Sequence, residues 1–289
     1  MIIVDFSAIS IASVFSQPKS NLEENLLRHM ILNSLRLYNL KYRAEYGRMI
    51  LACDAGSWRK GPFPEYKAAR KKTRDSSTLD WKEIFGWLNT ITDEIDEHLP
   101  YPVLSVSGAE ADDVIATLVE STQEFGNHEK VMIISGDKDF IQLQKYDNVD
   151  QFSPLTKKLI KDPNPTKYIF EHIIRGDSGD GVPNVLSADD VFVSEDARQT
   201  PLRSKKIEEW YEASRTKDMK EILDQETYRN YCRNRSMIDL SRIPEDVTTR
   251  IREEYAKKEV KPNGKVLNYL ISRRCSQLVS CAEEFFIKS

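Results

Sequence analysis

Four stretches of this 289-residue chain carry acids in a pattern suited to chemistry. Met1-Ile-Ile-Val-Asp5, Met49-Ile-Leu-Ala-Cys-Asp54 and Val131-Met-Ile-Ile-Ser-Gly-Asp137-Lys-Asp139 are each a short apolar run ending in Asp. The fourth, Ser107-Gly-Ala-Glu110-Ala-Asp112-Asp113-Val114, holds three carboxylates within four residues. Two unit charges about 4 Å apart cost roughly 4 kcal/mol at an effective dielectric near ~20. Gathered carboxylates therefore need protons or cations among them. Hard oxygen ligands without accompanying His or Cys suit Mg²⁺ or Mn²⁺. Two such ions about 4 Å apart serve in-line phosphodiester cleavage. A plainer reading covers part of the acidity. Ser107 and Glu110 fit the spacing of a capping box, and acid in a first turn complements the helix dipole.

Something must bring these acids together. Short, unalternating, β-branched-rich runs read as strands buried on both faces of a parallel sheet. Parallel strands share one carboxyl edge, where α/β sheets bind ligands. Strands are expected over 1–4, 49–53, 102–106 and 131–135, each delivering acid to that edge. Residues 21–42 carry Leu22, Leu26, Leu27, Met30, Ile31, Leu35 and Tyr38 on one helical stripe. Residues 81–99 carry Ile84, Leu88, Ile91, Ile95 and Leu99 in the same way, and that stripe is core. The acidic stretch opens a helix over 107–124, and Asp139 begins a shorter one. This βαβ order predicts an α/β fold with a central, mainly parallel sheet flanked by helices.

Net charge is −4, so the whole chain is not a polycation. Residues 56–75 nevertheless hold Arg59, Lys60, Lys67, Arg70, Lys71, Lys72 and Arg74 against only Glu65 and Asp75. A basic segment beside an acidic centre suits a polyanionic substrate brought to metals. Trp58, Phe63 and Tyr66 are interleaved, as unstacked nucleic acid requires. The spacing of Lys67, Arg70 and Arg74 predicts one face of a short helix. The competing reading is a solvated helix whose aromatics are pinned to the core. The four cysteines form no C-x-x-C pair and read as reduced thiols of a cytosolic protein. The chain opens directly into a strand, not a signal peptide, and no apolar run nears the roughly 20 residues that span a bilayer.

Beyond about residue 160 the texture is helical, with helices expected over 165–174, 203–213, 218–231, 245–257 and 265–280. The first leads into Gly176-Asp177-Ser-Gly-Asp180-Gly-Val-Pro183, whose glycines permit a tight turn with N–H groups open to phosphate. The G-D-S-G-G of trypsin-like proteases is excluded, because Asp180 replaces the needed Gly. An EF-hand is excluded because ligand positions and the closing Glu do not match.

With the acids placed, the sequence resembles the 5′ nuclease, or flap endonuclease, family, and within it the ribonuclease H branch of T-even bacteriophages. The matching pieces are Ile3-Val-Asp5-Phe-Ser7, Asp54, Trp58-Arg59, Tyr66-Lys67, Glu110-Ala-Asp112-Asp113, Ser135-Gly-Asp137-Lys-Asp139-Phe140 and Gly176-Asp177-x-x-Asp180. They span about residues 1–185. The resemblance implies a PIN-like core, a helical arch over the active site and a smaller C-terminal helical domain. It places the nuclease domain, with arch 56–80, in residues 1–160. It places a DNA-binding domain, with a helix–turn–helix near 165–190, in residues 161–289.

By resemblance the activity is 5′-3′ exonuclease and flap endonuclease, removing RNA primers and 5′ flaps in replication with two Mg²⁺, for which Mn²⁺ substitutes. Asp5, Asp54, Asp112 and Asp137 would serve the first metal. Asp139, Asp177 and Asp180, with Glu110 and Asp113 near by, would serve the second. The chemistry would rest on Lys67, Asp112 and Asp137. Nucleic acid would meet Arg59, Tyr66, Lys67, Arg70, Lys71 and Arg74. Implied partners are DNA and RNA–DNA duplexes with 5′ ends or flaps, and replication proteins such as a single-stranded-DNA-binding protein or sliding clamp. The resemblance implies a monomer in the host cytoplasm. One departure stands out. Many relatives follow the Gly-Asp motif with a G-x-G-x-K hairpin that grips duplex and a monovalent cation, and residues 182–206 lack it. A PIN-type ribonuclease and a catalytically inactive DNA-binding relative are the rival readings. The first lacks a basic arch, and the second should have lost acids.

Overall fold

The computed structural model describes residues 1–16, 22–70, 74, 76–124, 127–194, 196–259 and 261–286. Six strands form one sheet: β1 (Ile2–Asp5), β2 (Met49–Cys53), β3 (Val103–Ser105), β4 (Val131–Ile134), β5 (Val149–Ser153) and β6 (Lys158–Ile160). Their order is β3-β2-β1-β4-β5-β6. All pair in parallel except β6, which returns antiparallel to β5. The first four were expected from the apolar runs. The β5–β6 hairpin was not, because Val149-Asp-Gln-Phe-Ser and Lys158-Leu-Ile are too short and polar to stand out.

The chain divides into two compact units. One comprises Met1–Gly56, Leu79–Lys161 and Glu245–Ser289; the other comprises Ser57–Thr78 and Asp162–Pro244. This differs from a cut at residue 160 in two places. The arch segment groups with the helical residues, and the last 45 residues group with the sheet.

In the sheet unit, alternate residues of each strand enter opposite layers. Ile2, Val4, Met49, Leu51, Met132, Ile134 and Phe152 share a core with α1 (Phe6–Phe15), α2 (Glu24–Tyr46) and α3 (Trp81–His98). The intervening Ile3, Ile50, Leu104 and Ile133 are equally buried. On that second face α4 (Ala111–Ser121) packs against β1 and β2. Burial of both faces explains the unalternating apolar runs. The α1 helix was not expected. It starts with no gap after β1, since Asp5 both ends the strand and caps the helix.

In the second unit α5 (Pro165–Arg175), α6 (Ser204–Ser214), α7 (Met219–Ile222) and α8 (Gln225–Ile238) surround two apolar clusters. Phe63 and Tyr66 of the basic segment lie in the first, with Ile173, Val182, Met237 and Ile238. The helix expected over 218–231 is broken because the Asp224 carboxylate caps a new one, accepting from the Thr227 N–H at 2.9 Å. Among the described residues no helix follows α5 until Ser204, so the helix–turn–helix expected near 165–190 lacks its second helix. The chain returns to the sheet unit through α9 (Glu245–Lys257), α10 (Val266–Ser272) and α11 (Ser276–Val279). Among the described residues no helix is long and apolar enough to cross a membrane.

Candidate functional site

Three parallel strands deliver three carboxylates to one edge, and each carboxylate is also held at the N-terminus of a helix. Asp5 ends β1. Its Oδ1 accepts from the Ala8 N–H in the first turn of α1, at 3.0 Å. Its Oδ2 accepts from the Ser135 hydroxyl at 2.8 Å. The register explains this second bond: Val4 pairs with Ile134, so Asp5 and Ser135 come next and lie level. Asp54 follows β2. Its Oδ1 accepts from the Ala111 N–H at the start of α4, at 2.8 Å, and its Oδ2 from the Ser7 hydroxyl at 2.6 Å. Asp137 follows β4 and caps a 3₁₀ helix over Lys138–Lys145, accepting from the Asp139 N–H at 2.9 Å. Its own N–H donates to the Ser135 hydroxyl oxygen at 3.1 Å.

N-capping alone is an ordinary use of Asp. What exceeds it is the mutual repulsion. Burial pushes the Asp5 carboxyl up to about 6, with the charges of Asp54 and Asp137 adding to the rise against the Ala8 and Ser135 hydrogen bonds. Among the described residues no Lys or Arg forms an ion pair with Asp5, Asp54 or Asp137. A cluster of carboxylates and hydroxyls with no protein cation fits a hard divalent ion. Ser7 and Ser135 stood in the matching pieces without a role. Their register beside Asp54 and Asp5 is the signal that assigns them one.

The acidic helix divides its carboxylates. Asp113 is fully buried, and its Oδ2 accepts from the Glu110 N–H at 2.9 Å in a reciprocal capping box with Glu110, itself 5% exposed. The box therefore lies one turn later than the expected Ser107–Glu110 pair. Both acids help to start α4. Asp112 lies in the first turn of α4 and Asp139 in that of the 3₁₀ helix, both half-buried.

In the second unit the Gly-Asp motif satisfies itself. Asp177 Oδ1 accepts from the Gly179 and Asp180 N–H groups at 2.7 and 3.2 Å, so these are not open to phosphate as expected. The Asp177 carboxyl is held below its usual range, first by His172, whose Nε2 lies 3.6 Å away. His172 was missed in the sequence; nothing in its spacing distinguishes it. Asp180 is matched by cations. Tyr66 donates to its Oδ2 at 2.8 Å, Lys67 Nζ lies 3.5 Å from the same oxygen, and Arg70 bonds its Oδ1. Its charge is thus shared with Lys67 and Arg70. Gly176 (φ 69°) allows the turn; a Cβ there would stand 2.3 Å from the Val182 carbonyl oxygen.

The expected nucleic-acid residues separate. Arg59 and Tyr66 are each 2% exposed. The Arg59 guanidinium packs over Trp58 and donates to the Met237 carbonyl at 2.8 Å. Both shape the segment from inside and offer no surface to a strand. Lys67 has φ 56°, which ends any helix there, so Lys67, Arg70 and Arg74 do not share a helical face. Arg70 and Arg74 are exposed. Lys71 lies outside the described residues.

Comparison with known proteins shows the family and the fold. The family model described as 5′-3′ exonuclease, N-terminal resolvase-like domain, matches residues 2–170, and that of T4 RNase H, C terminal, matches residues 164–285. The chain is 33% identical to ribonuclease H of Enterobacteria phage T4, over 98% of this chain and 95% of that one. It is 29% identical to a 5′-3′ exonuclease of Buchnera aphidicola over 64% of this chain and 65% of that one. The fold is shared with bacteriophage T5 5′-exonuclease bound to divalent metal ions (zinc), at TM-score 0.62 and 18% identity, over 89% and 98% of the two chains. With two family models covering nearly its whole length, the chain belongs to the 5′-3′ exonucleases, nucleases that hydrolyse phosphodiester bonds, and carries the C-terminal region of the T4 ribonuclease H branch.

Proposed function

We propose that this nuclease removes 5′ flaps and RNA primers from duplex DNA during replication in the host cytoplasm, with Mg²⁺ as its metal. The observation that carries the reading is the trio Asp5, Asp54 and Asp137, mutually repelling and without a protein cation among the described residues. These three, with Asp112 and Asp139, would hold the metal. When bound, a pair of divalent ions neutralises charge on the attacking and leaving oxygens of an in-line displacement. The helix N-termini behind Asp5, Asp54 and Asp137 keep the carboxylates oriented. Lys67 would stabilise charge developing on the scissile phosphate. Asp180 is assigned here as the anchor that presents Lys67 and Arg70. Arg70 and Arg74 would hold backbone phosphates. The substrate class follows the relatives, among them a T5 flap endonuclease solved as a pseudo-enzyme-product complex with DNA and metal ions.

The test is Mg²⁺-dependent cleavage of a 5′-flap duplex against single-stranded RNA of equal length. Wild type should cleave the flap and spare the RNA, the reverse of a PIN-type ribonuclease. Asp137→Asn keeps the shape of the side chain and removes its charge. It should lower flap cleavage by at least about a hundredfold while DNA affinity in Ca²⁺ stays within about twofold. Near wild-type cleavage by this variant would reject the metal assignment.

A further inference from the structure

One face of α8 carries Asn230, Arg233 and Asn234, three and four residues apart. Backbone carbonyls from two stretches of chain converge on it. Asn234 Nδ2 donates to the carbonyls of Ile173 and Pro183 at 2.7 and 2.8 Å. Asn230 Nδ2 donates to those of Val185 and Ser187 at 3.0 and 3.3 Å. Arg233 lies between them. Its Nη2 donates to the carbonyls of Pro183 and Asn184 at 3.0 and 3.4 Å. Its Nη1 reaches the Ser187 carbonyl at 3.4 Å and pairs with the Asp189 carboxylate. Its Nε donates to Asn234 Oδ1 at 2.9 Å. The side chain is 7% exposed, so this is an interior arrangement.

Several carbonyl oxygens and one carboxylate around a common centre are the donor set of a hard cation. Here that centre is filled by a guanidinium, whose five N–H donors and permanent charge satisfy the oxygens directly. The loop over 183–189 has no glycine with which to adapt. Its shape is set by these bonds and by Asn184, whose Oδ1 accepts from the Leu186 N–H at 2.9 Å.

We infer that Arg233 is a built-in cation, a positioning residue that fixes the loop over 183–189 for duplex binding and makes it indifferent to monovalent ions in the medium. The inference rests on the reading that the unit containing α5 to α8 holds duplex DNA. Removing the guanidinium leaves an oxygen-lined cradle that a monovalent ion can fill.

The experiment measures flap-duplex affinity in Ca²⁺ at matched ionic strength, in K⁺ or in tetramethylammonium, which is too large for the cradle. Wild type should bind equally in both. Arg233→Ala should bind about tenfold more weakly in tetramethylammonium and recover in K⁺. Arg233→Lys keeps a charge and should stay indifferent. Arg229→Ala, which removes the exposed partner of the same Asp189, should stay indifferent as well. Hydrogen exchange at the Val185 and Ser187 amides repeats the comparison without DNA. In Arg233→Ala they should exchange faster in tetramethylammonium and slow again in K⁺. A K⁺ response in wild type or in Arg233→Lys overturns the inference. So does an equal loss in both salts for Arg233→Ala, which would make the residue a packing element only. Should Arg233→Ala fail to fold in either salt, the inference is likewise overturned, since K⁺ would not have replaced the guanidinium. If wild type does not bind the duplex at all while exchange in Arg233→Ala still follows the cation, the functional reading fails, the link to duplex binding fails with it, and the assignment of Arg233 as the loop's built-in cation stands.

Discussion

Asp5 shows how one side chain carries both the fold and the chemistry. It ends a strand, caps a helix and faces two other carboxylates. Burial and that company raise its carboxyl from an ordinary 3.8 to about 6. The consequence for stability has a definite sign. Below pH ~4 the folded and unfolded chains both hold the proton. As pH rises through ~6 the unfolded chain has released it and the folded one resists, so metal-free protein loses up to about 3 kcal/mol. Asp5→Asn keeps a capping oxygen and removes the charge. In chelator, the variant should therefore gain stability over wild type at pH 7 and show no gain at pH 4. Asp177 and Asp189 are shifted the other way, but they are common to both proteins and cancel in the difference. Urea titrations at the two pH values check this; a gain of equal size at both would mean that the charge is not the cause. Asp5, Asp54 and Asp137 were legible in the sequence because each closes an apolar run. The capping role of Glu110 and Asp113 was not legible, because a cap and a ligand look alike until the hydrogen bonds are seen.

The elements were legible where one period dominates. β1 up to its closing Asp5, β2 and β4 are apolar because both faces are buried, and α3 repeats its stripe over 18 residues. The end of the chain was not legible. Its helices past residue 265 carry no chemical motif, and only tertiary packing shows their task. Val266, Tyr269, Leu270, Leu278, Ala282 and Phe285 enter the core beneath α2 and α3. The Phe285 carbonyl accepts from the buried Tyr101 hydroxyl at 2.8 Å. Tyr269 donates to Glu94 at 2.8 Å, and Glu94 is already bound to the buried Arg28. Removing one member of such a network leaves a buried charge uncompensated. Phe285 is fully buried, so Phe285→Ala should cost about 3–5 kcal/mol by lost burial and cavity. Equilibrium urea unfolding measures it. A loss below about 1 kcal/mol would make this segment an accessory cover and not part of the core.

At the scale of the molecule, the sheet unit is assembled from three separate stretches of chain, and the second unit is drawn from the two sequence segments that separate them. The core of the sheet unit is therefore incomplete until residues beyond 245 are in place. The acidic edge exists only once the strands have paired. Asp5 and Asp54 lie in the first of the three stretches and Asp137 in the second, and the three acids meet only when the sheet closes. Without a cation their repulsion opposes closure. With one, the same oxygens form a site that the unfolded chain does not possess. A divalent ion that binds only the folded state adds about 2.7 kcal/mol at a hundredfold excess over its dissociation constant. Thermal melts in EDTA and in Mg²⁺, at matched ionic strength, should differ in that direction. The shift should shrink in Asp54→Asn and Asp137→Asn, which each remove one of the converging charges. It should persist in Asp180→Asn, whose carboxylate is already matched by Lys67 and Arg70. Equal midpoints for wild type in the two buffers would remove the metal from the fold altogether. A shift lost in Asp180→Asn, but kept in Asp137→Asn, would move the metal away from the sheet edge.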